Sequence, residues 1–64
     1  MNLQEIKQAI AEGKTVYCGN SAYKVIKDKI GQYLIVCSLN QYTIGLTWRD
    51  GTTLNDKEEN FYIA

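Results

Sequence analysis

The stretch Gln32-Tyr33-Leu34-Ile35-Val36-Cys37-Ser38 decides the fold. Tyr33 to Cys37 are all apolar or aromatic, with no polar residue between them. A half-buried strand alternates apolar and polar side chains, whereas one that is apolar on both faces is covered on both faces. This run is therefore expected to be the central strand of a sheet. It needs shielding above and below.

Working outward, Lys29-Ile30-Gly31 is a tight connection, with Gly31 available for a positive φ. Before it lies the β-rich run 22–28, Ala22-Tyr23-Lys24-Val25-Ile26-Lys27-Asp28. Gly19-Asn20-Ser21 separates that run from another at 14–18, Lys14-Thr15-Val16-Tyr17-Cys18. After the central run, Asn40 marks a turn. Tyr42, Ile44, Leu46 and Trp48 then alternate with Thr43, Gly45 and Thr47, which predicts a half-buried fourth strand over 42–48. Asp50-Gly51 is the strongest hairpin signal in the chain. Strands at intervals of about ten residues, with turn signals between them, predict an antiparallel meander. No connection is long enough for a helical crossover, so parallel pairing of successive strands is not expected.

The N-terminal segment has a different period. Leu3, Ile6, Ala9 and Ile10 fall at helical spacing, with Gln4, Lys7, Gln8 and Glu12 on the wet side. Asn2 and Glu5 form a capping-box pattern. Gly13 stands where a helix takes a left-handed residue. The prediction is a helix over about 2–12, too short to be stable unless it packs on something. At the other end, Leu54 is expected to be buried. The segment 55–60 is polar enough for one helical turn. Phe61-Tyr62-Ile63 is expected to dock as an edge strand or against the helix. The fold class is thus α+β, a single small domain with an N-terminal helix on an antiparallel sheet of four or five strands.

Composition narrows the chemistry. Seven basic and seven acidic residues leave no net charge, and there is no His. A neutral chain whose acids gather after Asp50 is a poor match for nucleic acid, where phosphate neutralisation needs a positive surface. Without His, general acid–base catalysis would fall to carboxylates in a pocket. Asp50, Asp56, Glu58 and Glu59 read more simply as a solvated loop, and their spacing does not fit a calcium loop. Cys18 and Cys37 cannot furnish a structural zinc site. They are expected to be buried free thiols, with Cys18, beside Gly19-Asn20, the more exposed of the two. No metal or cofactor is expected, and no enzymatic activity. Met1 to Lys7 lacks a basic start followed by an apolar run, and no stretch approaches the roughly 20 apolar residues of a membrane span, so a soluble cytoplasmic chain is expected.

Five Tyr, one Trp and one Phe are many rings for 64 residues. They can form a contact face for a protein, or they can stack and clamp a nucleotide with the help of a cation. The first expectation is a non-catalytic interaction module, pairing with itself or with a protein through the sheet at Tyr23, Tyr33 and Ile35. The alternative is a nucleotide held over Trp48 and Arg49, with Tyr42 and Lys24 contributing.

Both ends of the chain carry a likeness. Residues 5–16, Glu5-Ile6-Lys7-Gln8-Ala9-Ile10-Ala11-Glu12-Gly13-Lys14-Thr15-Val16, and residues 59–63, Glu59-Asn60-Phe61-Tyr62-Ile63, resemble the opening and closing segments of small phage proteins that sequester signalling nucleotides in the Thoeris defence pathway. That resemblance implies nucleotide capture, a phage or mobile-element source and, for such a source, the host cytoplasm. No binding residue carries over from it.

Overall fold

A computed structural model describes residues 1–64. Helix α1 spans Leu3–Ala11, one residue inside the predicted bounds at each end. Its start is set by the capping box: the Asn2 side chain accepts the Glu5 N–H at 2.8 Å, and the Glu5 carboxylate accepts the Asn2 N–H at 2.9 Å. Its end is a Schellman turn. Gly13, at φ 80°, donates to the Ile10 carbonyl at 3.0 Å, and Lys14 donates to that of Ala9 at 2.9 Å. A side chain at Gly13 would have open space but a left-handed backbone. Gly13→Ala is therefore expected to cost about 1 kcal/mol, seen as a lower urea midpoint with an unchanged slope.

The strands are β1 (Val16–Cys18), β2 (Asn20–Lys27), β3 (Tyr33–Cys37), β4 (Thr43–Gly45) and β5 (Phe61–Ile63), preceded by a 3-10 turn at Glu58–Asn60. They form one antiparallel sheet in the order β4-β3-β2-β1-β5. The first four strands are the predicted meander. The C-terminal run becomes an edge strand, as one of the two expectations had it, pairing Tyr62 with Tyr17 along β1.

Two boundaries differ from expectation. Gly19 alone makes the first turn, at φ 77°, and Asn20 and Ser21 already belong to β2, with a register irregularity after Tyr17. The fourth strand stops at Gly45 rather than running to Trp48. Beyond it Leu46 turns into the core, and Thr47 makes an isolated bridge with Leu54. Asp50-Gly51 does turn the chain, but within a loop that closes this bridge, where the Trp48 N–H donates to Thr53 at 2.8 Å.

The core lies between α1 and one face of the sheet. Ile6 and Ala9 from the helix meet Val16, Cys18, Val25, Ile35, Leu46 and Phe61. Met1, Leu3, Ile10, Tyr33, Ile44 and Leu54 pack around them, half-buried. Only 9 of 64 residues are buried, so each core side chain carries a large share of the stability.

Candidate functional site

Paired residues on antiparallel strands point to the same face, and successive residues to opposite faces. Val16, Val25, Ile35 and Ile44 pair in one row and face the helix. The next row, Tyr62, Tyr17, Lys24, Val36 and Thr43, therefore faces away from it. Ile26, paired with Leu34, joins that outer face.

On this outer face Tyr17, Ile26, Leu34 and Val36 are half-buried and Tyr62 is exposed. Every apolar residue of α1, of the 46–54 loop and of β5 that enters the core enters on the other side, and Tyr17, Ile26, Leu34, Val36 and Tyr62 take no part in it. They shield one another instead. Tyr17 and Tyr62 pack with ring centroids 5.7 Å apart, tilted by 50°. Lys24 is the only charged side chain among the strand residues of this face.

The interface residues expected from sequence lie on the helix side of the sheet. Ile35 is 3% exposed and lies in the core under α1. Tyr33 is half-buried against the same core, and Tyr23, though exposed, shares the helix-side face with Val25. Strand alternation is the reason. In a run with no polar residue, sequence gives no sign of which parity the helix covers, and it covers Tyr33, Ile35 and Cys37. The residues between them, Leu34 and Val36, point to the outer face and are half-buried.

The expected ligand residues are not brought together either. Tyr42 lies beyond the Cys37 end of β3, whose Cys37 N–H donates to the Tyr42 carbonyl at 2.7 Å. Trp48 lies past the opposite end, after Leu46 has donated to the Tyr33 carbonyl at 3.0 Å. Lys24 is in the middle of the outer face. Only Trp48 and Arg49 are neighbours, with Asp50 and Thr53 in a shallow surface depression. Trp48 also lines a cleft of about 360 Å3 with Leu3, Lys7, Gly31 and Tyr33, among others. Lys7 and Tyr33 are far apart in sequence and carry no shared motif, which is why sequence reading missed this grouping.

The acidic C-terminal segment does structural work. Asp50 accepts the N–H groups of Thr52 and Thr53, both at 2.9 Å, and the Thr53 hydroxyl. These bonds, that of the hydroxyl foremost, hold its carboxyl down at about 2. Asp56 accepts the Lys57 N–H at 2.7 Å, the Asn60 side-chain amide at 2.9 Å and the Cys18 thiol at 3.2 Å. The same three groups, that of Lys57 first, hold its carboxyl below the usual range. Asp56 thereby ties the turn before β5 to β1.

Cys18 is a buried free thiol, as expected, and only marginally more exposed than Cys37. It is 6% exposed, and burial, reinforced by its bond to the Asp56 carboxylate, pushes it up to about 12. Cys37 is also buried, and both are free. A thiol kept protonated is a poor nucleophile. Since the folded value lies above that of the unfolded chain, this stabilisation is complete below about pH 8.5 and disappears as pH rises toward 12. Maleimide labelling at pH 8 is expected to be at least about a hundredfold slower for the native protein than for urea-unfolded chain. Asp56→Ala should speed labelling of Cys18 but not of Cys37; equal rates in both proteins would contradict the role given to Asp56.

Fold and surface together define a small α+β domain with a helix on one side of its sheet and an apolar outer face on the other. A scan against protein-family models finds no match, and searches of curated proteins and of solved structures find none either.

Proposed function

We propose that this domain is a non-catalytic interaction module that pairs with a second copy of itself through the outer face of the sheet. The observation that carries this reading is the apolar row of Tyr17, Ile26, Leu34, Val36 and Tyr62, exposed at Tyr62 and half-buried elsewhere, on a chain whose only α-helix lies on the other side. A contiguous apolar patch of this kind on so small a domain marks a contact surface.

Charge favours a second copy over other occupants. One Lys and no carboxylate on the strand residues of the face give little hold on nucleic acid or on an anionic membrane surface, which need several cations. The chain has no net charge, so two copies approach without overall repulsion. Lys24 can lay its alkyl stem along the sheet and keep its ammonium in water. Two such faces stack as a sandwich about 10 Å apart.

Size sets the affinity. With strands about 4.8 Å apart and residues about 3.3 Å along each, the face offers on the order of 500 Å2 per copy. The total is near the roughly 1,000 Å2 that a specific interface should clear, so the dimer is weak and reversible. Sedimentation velocity from about 10 μM to about 2 mM should show a monomer giving way to a dimer as concentration rises. A single monomer species across that range would overturn the proposal.

A further inference from the structure

We infer that the cleft between α1, the β2–β3 turn and the 46–51 loop is a binding site for a small planar anion, an aromatic ring bearing one phosphate or carboxylate. This inference does not rest on self-pairing, although the cleft lining reaches Leu34 at the edge of the outer face.

Two lysines lie near the Tyr33 ring, Lys7 in the cleft lining and Lys27 outside it. Lys7 Nζ lies 5.4 Å from the centroid of Tyr33, and Lys27 Nζ lies 5.8 Å from it. Neither has an ion-pair partner; the single ion pair of the molecule joins Lys14 to Glu12 at 3.0 Å. Each cation–π contact is worth only about 0.5–1 kcal/mol at an exposed site, so the ring holds Lys7 only lightly. An anion in the cleft would gain a charge-assisted hydrogen bond from Lys7.

The residues lining the cleft include no carboxylate. Of the carboxylates close in sequence, Asp28 is turned into its own loop, where it accepts the N–H groups of Ile30 at 3.1 Å and Gln32 at 2.8 Å, and Glu5 accepts the Asn2 N–H at 2.9 Å. Asp50 is held in the same way by Thr52 and Thr53. The other half of the site is apolar. Trp48, 63% exposed, and Leu3 line the same cleft, and its volume of about 360 Å3 suits a small molecule. An exposed indole facing a cationic, carboxylate-free cleft is a stacking platform for a planar ring.

Trp48 is the only tryptophan and thus its own reporter. Its fluorescence is to be titrated with phenyl phosphate, benzoate, adenosine monophosphate and inorganic phosphate, at about 10 μM protein, where self-pairing is negligible. Saturable quenching by at least one of the three aromatic anions is expected below about 1 mM, with the Trp48 indole N–H resonance shifting in parallel. Preference for phenyl phosphate or for benzoate identifies which anionic group Lys7 takes, and binding of the nucleotide shows that the open cleft admits a larger ring system. Lys7→Gln, at an exposed helix position, should fold normally by circular dichroism and weaken binding at least fivefold. The inference is overturned if no aromatic anion saturates, if inorganic phosphate binds as tightly as they do, or if Lys7→Gln leaves the affinity unchanged.

Discussion

Leu46→Ala is expected to unfold a large fraction of the molecules at 25 °C. Leu46 is fully buried, one of three large side chains with no exposed surface, and contacts the core shared by α1 and the sheet. It follows β4 but belongs to no strand, so no ladder of its own holds it. Instead its N–H donates to Tyr33 at 3.0 Å and its carbonyl accepts from Asn55 at 2.9 Å. These bonds fix the backbone, and the space left by truncation cannot close easily. Such truncations cost about 2–5 kcal/mol. A domain of this length has only about 3–10 kcal/mol in total. The contrast is Leu39→Ala. Leu39 is 84% exposed, and its loss should move stability by less than about 0.5 kcal/mol. Urea titrations followed by circular dichroism separate the two. A Leu46→Ala midpoint close to that of Leu39→Ala would mean that the 46–54 loop does not close the core.

The second large effect contrasts two adjacent residues. Val36→Glu should leave the fold intact and weaken self-pairing by tenfold or more, whereas Ile35→Glu should prevent folding. Val36 lies on the outer face directly across the ladder from Lys24. Opposed side chains there have Cβ atoms about 5 Å apart, so the introduced carboxylate meets an ammonium and helps the monomer slightly. In the dimer that pair would be stripped of water, which costs more than it returns. Ile35, one residue earlier, faces Val25 and Ile44 in the core, where a carboxylate finds no partner. Sedimentation and circular dichroism on both variants read the two outcomes. If Val36→Glu pairs as tightly as the parent, the outer face is not the contact. If Ile35→Glu folds, the faces have been assigned the wrong way round.

Both experiments turn on a distinction that local sequence does not carry. The helix was legible to within a residue at each end, because its signals are local: Asn2 and Glu5 three apart, a Leu3/Ile6/Ala9/Ile10 stripe, and a Gly at the C-terminal turn. The meander was legible for the same reason, since each strand is bounded by its own turn residues. The end of β4 was not, because the alternation through Trp48 is compatible with a longer strand, and the bridge of Thr47 with Leu54 joins segments that no local signal pairs. The candidate sites were legible in part. Sequence singled out Trp48, at the end of the expected fourth strand beside the Asp50-Gly51 turn, but it grouped that residue with Tyr42 and Lys24, which the ladder places at the far end and on the far side.

By itself, then, the amino-acid sequence determined the helix, the succession of strands and the presence of a central strand with more apolar surface than one helix can cover. Tertiary structure alone decided which face of that strand the helix takes, and so which residues point to the outer face. It also decided that Lys7, Tyr33 and Trp48 should meet at one end of the sheet. The division follows from range: capping and periodicity act within a few residues, whereas the side on which a helix packs and the loops that gather at a sheet's end depend on contacts between segments distant in the chain.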